Sequence, residues 1–200
     1  MNLAAFVLGL IYGLLRKGRI ASIFKKHFRW TVMLFISLLL DVIRSNSILL
    51  DNFGAAGWYP ALRTLLAVLQ YALMLTFLFR NHAKPGMGSL MAGTLMNGLV
   101  IVANSGMMPV GDAVKNFGDK VIENLAQLPH YFLASGSEPL LFLADNITFW
   151  FFGWIMISLG DLLILFGAFR LGAYMPKRIL RPRPKMMVEH PDDFGYTVGR

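Results

Sequence analysis

An all-α bundle of membrane-spanning helices is the fold class this sequence predicts, and three observations predict it. The chain of 200 residues is 56% hydrophobic and only 15% charged, where a water-soluble globule carries nearer a quarter charged residues. The apolar residues are gathered into five segments, about 2–15, 30–50, 61–79, 88–104 and 147–169. The loops between them alternate in charge: Lys and Arg crowd into 16–29, 80–87 and the stretch from Arg170, while Asp and Glu collect in 51–60 and 105–146. Residues 1–170 therefore read as one transmembrane bundle and 171–200 as a basic, Pro-rich tail.

The first segment, "LAAFVLGLIYGLL", has its basic run "RKGR" after it rather than before it, the reverse of a cleaved signal peptide. It reads as a short first span. The second segment opens on Trp30 and the third follows Trp58 and Tyr59, rings that suit a headgroup layer. Pro60 suits the first turn of the third span, where no N–H is needed. Within 105–146, Val114, Phe117, Val121, Ile122 and Leu125 recur at helical spacing. This predicts an amphipathic helix over about 111–128, lying on the outer surface. The last segment is expected to be one helix from 147 to 169, with Asp161 as its only formal charge. Cytoplasmic loops are enriched in Lys and Arg, so the N-terminus is expected outside and the C-terminus inside a cytoplasmic membrane. The basic loops and tail would then lie against anionic inner-leaflet lipid.

Each span after the first carries polar residues. Ser37, Asp41, Arg44 and Ser45 share one face of the second, and Gly93, Asn97 and Asn104 one face of the fourth. Counted at about 1.5 Å per residue, Asp41, Gln70, Asn97 and Asp161 all lie about 12–16 Å above the basic ends of their spans. Ionised groups are costly against hydrocarbon, so these must turn inward and find partners. Arg44 is the basic residue deep enough to pair with either acid. Asp41, Arg44, Asn97 and Asp161 are therefore the candidate ligand- or proton-binding core. The competing reading is that such polar groups only hold helices together and that Gly160 and Gly167 only let them pack closely. At the outer end of the fourth span, Asn104, Gly106, Met108 and Pro109 form a turn whose backbone N–H groups are expected to meet an anion or lipid headgroup.

Other chemistry is excluded. With no Cys there is no disulfide or thiolate metal site. His27, His82, His130 and His190 are dispersed over loops, so no metal or cofactor is expected. The basic patches flank spans and so read as orientation signals rather than a nucleic-acid surface. Three functional classes remain. The leading one is a small membrane protein that binds or passes a solute, lipid or proton. The others are an accessory subunit mated to another membrane protein and a membrane enzyme acting on lipid or isoprenoid.

Four short pieces carry a resemblance. "GLLRKGRI" at 13–20, "ANSGMMPV" at 103–110, "FLADN" at 142–146 and "SLGDLLI" at 158–164 resemble a small bacterial multispan membrane family, domain of unknown function 5317. The family pattern has Asn-Gly-Gly ahead of x-Met-Pro, and Ser105 stands here for its first Gly. The resemblance implies a bacterial cytoplasmic membrane protein, supplies no activity, and leaves the basic tail outside.

Overall fold

A computed structural model describes residues 2–23, 27–46, 52–150 and 154–178. The protein is mostly helical. Five helices form its body: α1 (Asn2–Leu15), α2 (Thr31–Arg44), α3 (Tyr59–Arg80), α4 (Met87–Ala103) and, after a short α5 (Asp119–Ala126), α6 (Leu159–Tyr174). Closely packed pairs are α2 with α3, α3 with α4, α4 with α6, and α6 with α1. The five thus stand in a row, α2–α3–α4–α6–α1, with α1 and α2 at its two ends. We call the end holding the C-termini of α2 and α4 the upper end, and the opposite one the lower end.

The sequence finds α1, α3 and α4 nearly at their observed bounds, whereas α2 ends at Arg44, capped at Ser45, short of the expected 50, and residues 47–50 lie outside the described residues. Among the described residues, α3 is the one helix long and apolar enough to cross a membrane by length and composition. α1 and α2 have 14 residues each, about 21 Å of rise. The last segment is corrected. The described residues of 147–157 are not helical; β4 (Ile147–Trp150) and β5 (Trp154–Ile157) pair antiparallel, Ile147 with Ile157 and Trp150 with Trp154. β-Branched and aromatic residues dominate "ITFW" and "WIMI", and these favour strands. The helix begins only at Leu159. The surface helix is corrected too. Gly118, at φ 91°, separates a 3-10 turn over Asp112–Phe117 from α5.

Glycines set the helix contacts. In antiparallel α4 and α6, Gly93 faces the Gly160 carbonyl and Gly86 faces that of Gly167. A Cβ at Gly93 would collide with that oxygen. Small residues let membrane helices approach at backbone distance. α1 runs parallel to α6, with Gly9 against the Phe169 carbonyl and Gly13 against that of Ala173. At the lower end β1 (Gly18–Arg19) pairs with β6 (Lys177–Arg178). There, too, buried Asn81 accepts from the Arg29 N–H at 3.0 Å and donates to the Arg29 carbonyl at 2.8 Å. Trp30, opening α2, lies under the Arg80 guanidinium, 4.2 Å from ring centre to carbon. At the upper end β2 (Met108–Val110) pairs in parallel with β3 (Tyr131–Leu133).

Candidate functional site

The row of helices wraps a cavity of about 630 Å3, within the range that holds a small ligand. Its lower part is apolar, walled by Leu34, Met74, Phe77, Met87, Leu90 and Leu171. Its upper part is polar and consists of three groups of residues.

The first group is centred on Arg44, whose side chain is 4% exposed. Helical spacing puts Asp41 one turn below it. Arg44 donates from Nη2 to Asp41 Oδ1 at 3.0 Å, from Nε to Gln70 Oε1 at 3.0 Å and from Nη1 to the Gly106 carbonyl at 2.9 Å. Gln70 Nε2 donates to the same Asp41 oxygen at 2.9 Å. Ser37 Oγ donates to the Gln70 carbonyl at 3.0 Å, tying α2 to α3. Each of the three guanidinium nitrogens thus donates to an acceptor.

The second group surrounds Asp161. Because α6 starts at Leu159, Asp161 sits in its first turn rather than midway along a span. It closes a capping box with Ser158: the Ser158 N–H donates to Asp161 Oδ2, and the Asp161 N–H donates to Ser158 Oγ, each at 3.0 Å. Such a box satisfies two N–H groups that a helix start leaves without partners. Asn97 Nδ2, from α4, donates to Asp161 Oδ1 at 2.9 Å. Ser158 Oγ lies 2.9 Å from both Asn97 Oδ1 and Asp161 Oδ2, so its one proton serves one of them at a time. Here is the physical reason for an acid inside an apolar run: it begins the helix and bonds the neighbouring one. Arg44 pairs with Asp41, and Asp161 has its own partners.

The third group was not singled out by sequence reasoning. Asp145 and His130 come from the upper loops. Asp145 is 5% exposed, and its Oδ1 and the Nδ1 of His130 are buried without a hydrogen-bond partner. Its backbone is fixed by N–H donation to the Pro109 carbonyl at 3.2 Å and by acceptance from the Gly111 N–H at 3.0 Å. Burial, with Asp161 nearby adding to it, pushes the Asp145 carboxyl up to about 8. Burial pushes the His130 imidazole down, with the Arg44 charge in the same direction. The His130 and Tyr131 rings lie 4.4 Å apart between centres, tilted by 48°, and burial raises the Tyr131 hydroxyl to about 12. The available signal was the acid of "FLADN", ending an apolar run.

The structure therefore brings Asp41, Arg44, Asn97 and Asp161 to the wall of one cavity, in two hydrogen-bonded clusters rather than one. The outer turn is built differently from expectation. The N–H groups of Asn104, Gly106, Met107 and Met108 all bond within the protein, Met108 to the His130 carbonyl at 2.8 Å. It is the carbonyls that serve the bundle, Gly106 receiving Arg44 and Ser105 receiving Arg63 at 2.8 Å. Ser105 and Gly106 both have positive φ, 55° and 79°, a conformation that glycine takes at least cost. Pro109 is buried in β2. Among the described residues no three His, Asp or Glu side chains gather as a metal site.

No curated protein and no solved structure matches the chain. The profile of a family of unknown function matches residues 25–172, from the approach to α2 almost to the end of α6 and including every polar group just described. The chain belongs to that family, DUF5317.

Proposed function

We propose that the protein is an integral membrane protein that holds a small amphiphilic molecule in the cavity between its helices. The observation that carries this reading is the cavity's division, polar above and apolar below, which matches a head and a tail. The distribution of residues supports a bilayer as the surrounding solvent. Large apolar side chains face outward on all five helices, among them Leu8, Phe35, Leu65, Leu99 and Phe166, while Ser37, Arg44, Gln70 and Asn97 are buried. That arrangement inverts the soluble pattern. The basic residues around Arg19, Lys84 and Lys177 share the lower end, and the positive-inside tendency makes that end cytoplasmic. Five helices then cross, with the N-terminus outside. The shorter ones thin the bilayer locally, at a modest cost.

The test is retention of ligand. Native mass spectrometry of protein released from membranes in mild detergent is expected to show an added amphiphile-sized mass. Met74→Trp, which fills the apolar half, should remove it while α3 still inserts. Equal retention by the filled variant would overturn the reading.

A further inference from the structure

Resting on the cavity reading above, we infer that the ligand's head is a cation, the ammonium group of an amphiphilic amine, received by Asp145 and His130 at the upper end. Among the described residues the cavity wall holds three carboxylates, Asp41, Asp145 and Asp161, against one guanidinium, Arg44. Three of the five N–H groups of Arg44 already serve acceptors inside the protein, and its charge is paired with Asp41. Asp161 accepts from Asn97 and Ser158. Among the described residues, the buried side-chain atoms with no hydrogen-bond partner are Asp145 Oδ1 and His130 Nδ1. An imidazole protonated at Nε2 accepts at Nδ1, and an ammonium is a donor only, with three N–H groups. The two fit.

The surroundings fit as well. Asp145 cannot withdraw, because its backbone is bridged to Val110 and hydrogen-bonded to Pro109 and Gly111. The Tyr131 ring also lines this end and offers a π face to a cation. The charged or titratable groups that interact with Asp145 are Asp161 from α6 and Tyr131 from β3; Asp41 and Arg44 from α2 and Tyr71 from α3 line the same cavity, and α4 contributes uncharged Asn97. A compact monovalent head suits two acceptors, whereas a divalent metal needs more ligands. Below the head, an alkyl chain meets Met74, Met87 and Leu90.

Methionine methyls report on both halves of the cavity, Met108 above and Met74 and Met87 below. Protein labelled with 13C at the methionine methyls, in phosphatidylcholine nanodiscs, is titrated with octylamine, octanol and octyl phosphate. Octylamine is expected to shift all three methyl signals and to bind at least about tenfold more tightly than octanol. Asp145→Asn should abolish that preference and leave octanol binding in place. Wild-type affinity for octylamine should rise from about pH 6 to about pH 8, as the carboxyl ionises, because an alkylammonium keeps its proton to about pH 10. Octanol binding as tightly as octylamine, or octyl phosphate binding best, would overturn the assignment of the head while the cavity reading stood. If none of the three shifts the methyl signals, both readings fall. The wild-type ranking decides the matter even if Asp145→Asn does not fold.

Discussion

At the scale of single residues, Arg44 and Asp145 solve opposite problems. Arg44 is buried with each of its three guanidinium nitrogens donating to an acceptor. Replacing it with Met leaves Asp41, Gln70 and the Gly106 carbonyl short of a donor, and should cost about 2–3 kcal/mol. The half-exposed Asp41 side chain can recover water, which keeps the loss below that of a fully buried pair. Arg44→Lys should recover only part of it, since one ammonium cannot reproduce the fork; chemical unfolding in detergent measures both. Asp145 is buried with an acceptor unanswered, and the folded protein carries that cost. Its carboxyl ionises near 8 when folded and near the ordinary 3.8 when unfolded. Between those values the unfolded chain binds fewer protons, so stability falls as pH rises, by at most about 1.4 kcal/mol per pH unit. Asp145→Asn should flatten that slope in unfolding curves taken from about pH 4 to about pH 8. At Asp161 the two roles separate. Ser158→Ala should cost about 1 kcal/mol through loss of the helix cap, whereas Asp161→Asn keeps an acceptor for Ser158 and should cost less.

At the scale of elements, helices with long apolar runs were legible and the end of the chain's last run was not. Residues 147–157 are apolar on both faces, so neither the alternation of a strand nor the stripe of a helix is visible, and periodicity cannot distinguish them. The start of α6 was nonetheless written in the sequence. Ser158-Leu-Gly-Asp161 ahead of an apolar run is the pattern of a capping box, and reading it would have placed the boundary and explained the acid together. Glycine spacing was half legible. The seven-residue interval between Gly160 and Gly167 is evident in α6, but its counterpart, Gly93 in α4 and Gly86 at its N-cap, matters only once the helices are seen to run antiparallel. Gly93→Ala places a methyl group against the Gly160 carbonyl and should force the two helices apart, lowering the folded yield. Gly88→Ala meets open space in the same helix and should be neutral or stabilising by up to about 1 kcal/mol. Comparing the two variants by size-exclusion profile and melting temperature separates packing from helix propensity.

At the scale of the whole molecule, charge alternation between loops was readable because orientation depends on linear placement of Lys and Arg. The third polar group was not, because Asp145 and His130 are 15 positions apart in the chain and reach the same cavity wall through separate contacts with β2, His130 by the β2–β3 pairing and Asp145 by its bridge to Val110. The absence of Cys makes the proposed sidedness simple to test. Ser137→Cys, in an exposed upper loop, should react with an impermeant maleimide added to intact cells. Ala83→Cys, exposed at the lower end, should react only after the cells are opened. The reverse pattern would invert the topology.

The row of helices has two margins, α1 and α2. α1 and α2 both wall the cavity, through Phe6 and Leu38, yet each has one close helical neighbour. A guest diffusing within a leaflet could slip in sideways by parting those two margins, disturbing neither the glycine contacts nor the Arg44 fork. Spin labels at positions 6 and 38 would register this as a widening that closes again once the guest is seated.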